Sequence, residues 1–228
     1  HQTHKEQKVR VDQVKKLREE LHLPIALLLD TKGPEIRLKE FSEPKVFLEA
    51  GAHFTLTSRD VMGDNTIAGI TFSKLPMEVV TGSKILIDDG LIELRVDSAT
   101  DTDILCTVIN GGPISARKSI NVPGIKLSLP FLSEKDKEDI AFAVQEGFDF
   151  IAASSTRSAQ DILDMRAELE RHDCHSIRII AKIENSDGVE NIDDIIRVSD
   201  GIMVARGDLG VEIALEEIPI IQKELIQK

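Results

Sequence analysis

Apolar and polar residues form blocks along the second half of the chain, and these blocks predict its secondary structure. In Ile177 to Ile183 and in Gly201 to Ala205 nearly every position is apolar, as in strands that are covered on both faces of a parallel sheet. Between these runs the apolar residues have the one-sided spacing of a helix, at Val189, Ile192, Ile195 and Ile196. The pattern therefore predicts a strand–helix–strand unit.

The same alternation continues on both sides of this unit. Ser133 and Asp136 form a capping signal for a helix that ends at Gly147, and Phe148 to Ala153 is predicted as the next buried strand. Similar signals predict a helix from Ser158 to near Asp173, a helix from Glu216 to the end, a helix from Val11 to Leu21 and a strand from Ile25 to Leu29. The repeat indicates an α/β protein with a barrel or an open parallel sheet.

A different pattern lies between Glu35 and Val122. Short alternating stretches separated by turn residues predict a small antiparallel β-barrel, with strands at Lys84 to Ile87, Leu91 to Val96 and Ile104 to Val108. This unit interrupts the βα repeat, because the strand ending at Leu29 needs a helix that resumes only at Ser133. We therefore expect an inserted domain that leaves from the catalytic face and acts as a lid.

Three polar residues lie at or near the carboxyl ends of the two apolar strands. Lys182 is the next-to-last residue of the first strand and Glu184 follows that strand, whereas Asp208 lies shortly after the second strand. Residues two apart on a strand point to the same side, so we expect Lys182 and Glu184 to lie together. Glu184 and Asp208 should both lie at carboxyl ends of neighbouring parallel strands, where α/β folds place their sites. Two carboxylates beside an ammonium group suit a magnesium ion with a phosphate or an enolate. A buried ion pair at a strand end is the structural alternative.

Composition narrows the classes of function. Acidic residues outnumber basic ones by 40 to 28, and the net charge of −12 argues against a nucleic-acid or anionic-membrane surface. Cys106 and Cys174 lack metal-ligand spacing, which indicates reduced thiols in a cytoplasmic protein. The sequence has neither an apolar stretch of membrane-spanning length nor a secretory signal, and we expect no membrane partner.

Five motifs occur in order along the chain: Asp30-Thr-Lys-Gly-Pro-Glu-Ile-Arg37, Ile87-Asp-Asp-Gly-Leu91, Asn121-Val-Pro-Gly124, Ala181-Lys-Ile-Glu-Asn185 and Val204-Ala-Arg-Gly-Asp-Leu-Gly-Val-Glu212. Together they resemble pyruvate kinase, especially its bacterial members, over essentially all 228 residues. The resemblance implies a partial (β/α)8 TIM barrel, the A domain, with an inserted β-barrel lid, the B domain. The expected division is 1–36 barrel, 37–120 lid and 121–228 barrel, in a segment truncated at both ends.

The resemblance also implies an activity and a set of ligands. The parent protein would transfer the phosphoryl group of phosphoenolpyruvate to ADP, giving ATP and pyruvate in glycolysis, with Mg²⁺ (or Mn²⁺) and K⁺ as cofactors. It would be a cytoplasmic homotetramer. We expect the segment alone to bind magnesium poorly and to be inactive, because partner residues of the family site lie outside it.

The resemblance also implies roles for the individual residues that match the family's motifs. Glu184 and Asp208 would bind magnesium, and Lys182 would be catalytic by neutralising charge as the enolate develops. Substrate would also contact Arg206 and the backbone N–H groups of Gly207 and Asp208. The remaining roles implied are potassium binding by Asp30 and Thr31 and nucleotide binding by Arg37 and Lys118.

Some of these residues could instead have a purely structural role. Asp30 could simply end a strand and open a turn, Lys118 could belong to a solvated basic pair with Arg117, and Arg206 could pair with Asp200 or Glu212. Four residues depart from the family pattern: Ser155 replaces a usual aromatic residue, Thr156 an aliphatic one, Ser119 a common glycine and Ala214 a usual proline. Other function classes remain open, namely a class II aldolase-type magnesium enzyme and a non-catalytic barrel fragment.

Overall fold

The computed structural model describes residues 3–228 and divides into two compact units. Unit 1 comprises His1–Pro34, Pro130–Leu209 and Glu216–Lys228, and unit 2 comprises Glu35–Leu129 and Gly210–Leu215. The elements in chain order are α1 (His4–Leu21), β1 (Leu28–Asp30), β2 (Ile36–Arg37), β3 (Val46–Leu48), β4 (His53–Thr57), β5 (Ile67–Gly69), α2 (Leu75–Glu78), β6 (Lys84–Ile87), β7 (Ile92–Ala99), β8 (Asp103–Asn110), β9 (Gly112–Ile114), β10 (Ser119–Asn121), α3 (Glu134–Gln145), β11 (Phe150–Ala153), α4 (Ala159–Arg171), β12 (Arg178–Ile183), α5 (Ser186–Glu190), α6 (Ile192–Val198), β13 (Gly201–Val204), α7 (Arg206–Glu212) and α8 (Ile218–Gln227).

Unit 1 is built on a four-stranded parallel sheet in the order β1-β11-β12-β13. Its central strands are covered on both faces, which is why they consist of apolar residues such as Ile151, Ile179 and Ile183, all fully buried. Helices α3 and α4 contribute the buried side chains Ile140 and Ile162 to the same core. The predicted α/β architecture with parallel strands is confirmed in this part of the chain.

Helix starts in unit 1 follow the predicted capping signals. The Ser133 hydroxyl accepts the backbone N–H of Asp136, whose carboxylate accepts the N–H of Ser133 in return. The Ser158 hydroxyl accepts the N–H of Asp161 at the start of α4. Side chains that satisfy the free N–H groups of a first helical turn explain why these two boundaries were predictable from local sequence.

Some predicted boundaries were wrong. The strand predicted from Phe148 begins only at Phe150, because the N–H of Phe148 closes the end of α3 on the carbonyl of Ala143. The strand predicted from Ile25 begins only at Leu28, because the N–H of Leu27 is bound by the Asp149 carboxylate. The single helix predicted between the two apolar strands is divided into α5 and α6 at Asn191.

Unit 2 is a closed, mainly antiparallel sheet of seven strands in the order β2-β10-β6-β7-β8-β4-β5. A bridge between Leu38 and Ile70 joins the two edges, and the N–H of Lys39 donates to the carbonyl of Gly69 at 2.8 Å. The largest side chains of its core include Phe54, Leu56 and Leu94, all fully buried. Closure removes the free strand edges, so the predicted small β-barrel is confirmed. The predicted domain boundaries at 36/37 and 120/121 stay predictions.

Candidate active site

Three neighbouring strands of unit 1 carry polar side chains at their carboxyl ends. Asp30 is the last residue of β1, Ser154 follows β11, and Glu184 follows β12. The register places Asp30 opposite Ala152 and Ala153 opposite Ala181, so the three strand ends lie side by side. Parallel strands bring residues that are distant in sequence to one edge of the sheet, and here that edge is polar.

The ammonium group of Lys182 lies at the centre of this edge. Its Nζ is 2.9 Å from Oε1 of Glu184, 3.1 Å from Oδ1 of Asp30 and 3.1 Å from the Ser154 hydroxyl. Burial alone would lower the pKa of Lys182, but the hydrogen bonds and charges of Glu184 and Asp30 outweigh it and raise the pKa above its ordinary value. The predicted meeting of Lys182 and Glu184 is confirmed, and Lys182 carries its charge at neutral pH.

The Glu184 carboxylate is held from the other side by Ser155. Its Oε2 accepts the backbone N–H of Ser155 at 2.5 Å and the Ser155 hydroxyl at 3.1 Å. The backbone of Ser155 is in the left-handed region, with φ of 54°, and this conformation directs both donors toward the carboxylate. The Glu184 side chain is only 8% exposed, so these donors satisfy a charge that burial would otherwise penalise.

Ser154 and Ser155 had no predicted role in the site. The available signal was their position directly after a buried strand, at the edge where Lys182 and Glu184 were expected. The resemblance implied no role for Ser155, because the family usually has an aromatic residue at this position. Ser154 donates its hydroxyl to Oδ1 of Asp30 at 3.0 Å and therefore links β11 to β1.

The loop after β1 packs closely on this edge. Gly33 has φ of +70°, and a side-chain carbon at this position would lie 2.7 Å from the Ser154 carbonyl oxygen. The buried carboxylate of Asp136 at the start of α3 accepts the backbone N–H groups of Lys32 and Gly33 at 3.1 and 3.2 Å. Glycine at this position and the capping aspartate together fix the loop that follows Asp30.

The predicted potassium ligands already have protein partners. Thr31 is buried, and its hydroxyl donates to the carbonyl of Ala152 at 3.2 Å and accepts the N–H of Ser154 at 3.1 Å. Asp30 is 60% exposed and binds Lys182 and Ser154. The arrangement ties β1 to β11, and the potassium role stays a prediction.

Arg206, Gly207 and Asp208 form the first turn of α7, directly after β13, and all three are exposed. The N–H of Ala205 donates to the carbonyl of Ile183 at 3.1 Å, which continues the strand pairing up to the start of this helix. Asp200, one of the partners considered for Arg206, instead binds Arg166 and Arg178, each at 3.2 Å. The first turn of α7 therefore faces solvent beside the carboxyl end of β12.

One predicted nucleotide-binding residue lies on a strand of unit 2, and the other lies directly before the strand that pairs with it. Arg37 is in β2 and is opposite Ser119 of β10, next to Lys118. The Arg37 guanidinium binds the Glu35 carboxylate at 2.7 Å and the Arg117 carbonyl at 2.6 Å. The Lys118 ammonium is 2.9 Å from Oδ1 of Asp88. The structure brings the two cations to neighbouring strands, each paired with a carboxylate.

Glu184 and Asp208 are hard oxygen donors of the kind that Mg²⁺ prefers. Within residues 3–228 no group of three or more His, Cys, Asp or Glu side chains is arranged to hold a metal ion. Magnesium sites that use one or two carboxylates with water and substrate oxygens do not need such a group, so the donor set fits Mg²⁺ of that kind. Over the same range, no helix has both the length and the apolar character needed to span a membrane.

Comparison with known proteins gives one consistent result. The family described as "Pyruvate kinase, barrel domain" matches residues 1–228. The chain is 45% identical to a pyruvate kinase of Clostridium acetobutylicum and 46% identical to one of Geobacillus stearothermophilus, in both cases over its whole length. It also superposes on a solved pyruvate kinase from Cryptosporidium parvum with a TM-score of 0.93 and 37% identity, again over the whole chain.

The matched relatives are longer than this chain. Its 228 residues correspond to 48% of the Clostridium acetobutylicum protein, 39% of the Geobacillus stearothermophilus protein and 48% of the Cryptosporidium parvum chain. The chain thus spans between about two fifths and half of the relatives it matches.

Proposed function

The chain belongs to the pyruvate kinase family, and from this membership we propose that it supplies the magnesium- and phosphoenolpyruvate-binding part of a pyruvate kinase. The whole reaction would move the phosphoryl group of phosphoenolpyruvate to ADP and leave the enolate of pyruvate. A pyruvate-lyase function of the class II aldolase type has no support from these relatives, which are named pyruvate kinases.

The observation that carries the proposal is the position of Lys182 between Glu184 and Asp30. An ammonium that is charged, partly desolvated and fixed by two carboxylates is placed in advance of the reaction. Phosphoryl transfer depends mainly on positioning and on electrostatic stabilisation of developing charge. The three N–H donors of Lys182 are used by Glu184, Asp30 and Ser154, so the ammonium would exchange at least one of these bonds for an oxygen atom on which negative charge grows as the phosphoryl group departs.

Glu184 and Asp208 would hold the magnesium ion, which when bound supplies a Lewis acid for the substrate oxygens. Both residues belong to unit 1, and both lie just beyond adjacent parallel strands. Arg206 and the backbone N–H groups of Gly207 and Asp208 would bind the anionic substrate at the start of α7. Their exposure leaves them accessible to a ligand.

The remaining family roles are also part of the proposal. Asp30 and Thr31 would supply oxygens to potassium, and Arg37 and Lys118 of unit 2 would contact the phosphates of ADP. Arg37 and Lys118 would have to exchange at least part of their pairing with Glu35 and Asp88 for phosphate oxygens. We further propose that the parent protein acts in the cytoplasm as a homo-oligomer.

Ligand-dependent thermal stability tests the proposal directly. At metal concentrations high enough to fill the weak site expected of this segment alone, we expect the melting temperature of the chain to rise with phosphoenolpyruvate only when Mg²⁺ or Mn²⁺ is present, because metal and substrate share one site. Glu184→Gln should abolish the shift, whereas Glu19→Gln on the exposed face of α1 should preserve it. A shift that is the same without metal, or one that persists in Glu184→Gln, would contradict the assigned site.

A further inference from the structure

Ser155 makes contacts that the family roles do not include. Its backbone N–H and its hydroxyl both donate to the same oxygen, Oε2 of Glu184, at 2.5 and 3.1 Å. The other oxygen, Oε1, accepts the Lys182 ammonium at 2.9 Å. The two oxygens of the carboxylate therefore differ in the number and kind of their hydrogen-bond donors.

The number of lone pairs on each Glu184 oxygen limits how a cation can bind to this carboxylate. A carboxylate oxygen has about two lone-pair directions. Both lone pairs of Oε2 accept hydrogen bonds from Ser155. Oε1 accepts one hydrogen bond, from Lys182, and its second lone pair can still bind a cation. A divalent cation that approaches Glu184 can therefore bind through Oε1 without displacing Ser155, but it can bind through both oxygens only by displacing a Ser155 donor.

We propose that the Ser155 hydroxyl restricts Glu184 to one-oxygen binding of a divalent cation and thereby favours Mg²⁺ over Ca²⁺. Mg²⁺ keeps a compact octahedral shell with several waters and few carboxylate oxygens, while Ca²⁺ accepts six to eight ligands and often takes both oxygens of one carboxylate. The inference rests on the proposed function, because it takes Glu184 as a magnesium ligand. Ser155 is a positioning residue, since it acts through Glu184.

The backbone of Ser155 supports a role for the hydroxyl. At φ of 54° a glycine would be accommodated without strain, and it would still present the N–H to Glu184. Serine is less favourable than glycine in this conformation, and what it adds is a second hydrogen-bond donor at 3.1 Å from Oε2. The hydroxyl can therefore be removed in two ways, with or without relief of the backbone strain.

Two variants at this position separate the hydroxyl from the backbone. Ser155→Ala removes the hydroxyl and keeps a side chain at the left-handed φ, and Ser155→Gly removes both the hydroxyl and the strain. Asp173→Gly is the matched control, because Asp173 has φ of 52° and lies before β12, at the opposite end from Glu184. Melting temperatures would identify any variant that fails to fold.

The measurement is electron paramagnetic resonance of Mn²⁺ bound to the chain, with Mg²⁺ and Ca²⁺ as competing ions. We expect Ser155→Ala and Ser155→Gly to shift the preference toward Ca²⁺ by about tenfold relative to the unsubstituted chain, the scale of one hydrogen bond to a charged group. Asp173→Gly should leave the ratio of the two dissociation constants unchanged.

The outcomes separate this inference from the function on which it rests. An unchanged Mg²⁺ to Ca²⁺ ratio in both variants, with Mn²⁺ binding that Glu184→Gln abolishes, would overturn the role of Ser155 alone. A change in Ser155→Gly but not in Ser155→Ala would also overturn it, because backbone strain would then be the cause. No Mn²⁺ binding even at metal concentrations that would fill the weak site expected of this segment, or binding that Glu184→Gln leaves intact, would overturn the metal site itself.

Discussion

The ammonium of Lys182 lies 2.9 Å from Oε1 of Glu184, and the two side chains are only 13% and 8% exposed. A buried ion pair costs desolvation energy on both sides, which hydrogen bonds from additional partners must offset. Here Asp30 and Ser154 bind the ammonium, and Ser155 binds the carboxylate. Residues at the ends of two neighbouring strands, β1 and β11, thus hold the pair at the end of β12.

Replacement of Lys182 should separate metal binding from substrate binding. In Lys182→Met we expect the affinity for Mn²⁺ to rise or stay constant, because a positive charge next to Glu184 has gone. The affinity for phosphoenolpyruvate at saturating Mn²⁺ should fall at least about tenfold, since one charge-assisted hydrogen bond to the substrate is lost. Mn²⁺ titration by paramagnetic resonance and ligand-induced thermal shifts measure the two effects.

A matched control for this prediction is Lys16→Met, which removes an exposed lysine of α1. It should change neither affinity. Equal losses of metal and substrate affinity in Lys182→Met would contradict the assigned role, because they would indicate a general disturbance of the site.

At the amino ends of the strands, Asp200 should stabilise unit 1. Its carboxylate accepts the backbone N–H of Ile179 at 2.8 Å and binds the guanidinium groups of Arg166 and Arg178. We expect Asp200→Asn to lower the free energy of unfolding by about 0.5–1.5 kcal/mol, because two partly exposed ion pairs are lost while the amide oxygen can still accept the Ile179 N–H. Urea unfolding at pH 7 checks this value, and Asp173→Asn at an exposed left-handed position is the control.

The effect of Asp200→Asn should depend on pH. Burial alone would raise the pKa of Asp200, but the Ile179 N–H and the guanidinium groups of Arg166 and Arg178 outweigh it and lower the pKa below its ordinary value of 3.8. The stabilisation is therefore complete above pH 3.8 and disappears as pH falls through the lower folded-state value. A stability difference between the two proteins that stays constant down to pH 2 would contradict this account.

The two thiols should react very differently. Cys106 is buried in the barrel of unit 2, and burial, followed by the charge of Asp97, raises the pKa of its thiol from 9.0 to about 12. Cys174 in unit 1 is only partly buried. Because the thiolate is the reactive form, we expect an alkylating reagent at pH 8 to modify Cys174 in the native chain and Cys106 only after unfolding.

Mass spectrometry of the alkylated peptides measures this difference, with Cys174→Ser as the control that isolates Cys106. The raised pKa also predicts that the barrel loses stability above about pH 9, where the thiol of the unfolded chain ionises and the folded one does not. Native-state modification of Cys106 at the rate of Cys174 would show that the barrel opens readily.

Ser119 should stabilise the turn after β6. Its hydroxyl donates to Oδ1 of Asp89 at 2.8 Å and accepts the Asp89 N–H at 3.2 Å. Asp88 and Asp89 both have positive φ, so the turn holds an unfavourable backbone conformation. We expect Ser119→Ala to lower the free energy of unfolding of the barrel by about 1–2 kcal/mol and to speed amide exchange at Asp89.

Ser119→Gly provides the comparison, because it also adds backbone freedom. It should cost about 0.5–1 kcal/mol more than Ser119→Ala. If Ser119→Ala left both stability and the exchange rate of the Asp89 amide unchanged, the two hydrogen bonds would have no energetic role in the turn.

The local sequence was sufficient for much of the fold. Helix starts at Ser133 and Ser158, the buried strand that precedes Glu184 and the short strands of unit 2 all depend on residues a few positions apart. The strand that follows Asp200 was also predicted, but its expected burial on both faces was wrong, because none of its residues is buried and Met203 is exposed. Boundaries failed where a distant group took a backbone N–H, as Asp149 does with Leu27. Ser155 was missed as a site residue because nothing in its neighbours predicts a left-handed backbone.

The amino-acid sequence by itself determined the class of fold, the closeness of Lys182 and Glu184, and the family. All three depend on strand periodicity and on motifs, which are properties of short, contiguous stretches of residues. Only the tertiary structure decided that Lys182 also binds Asp30, a residue 152 positions away, and that Ser155 holds the free side of Glu184. These contacts depend on the register of parallel strands and on backbone torsion angles. Long-range packing sets both, and no short stretch of sequence specifies them.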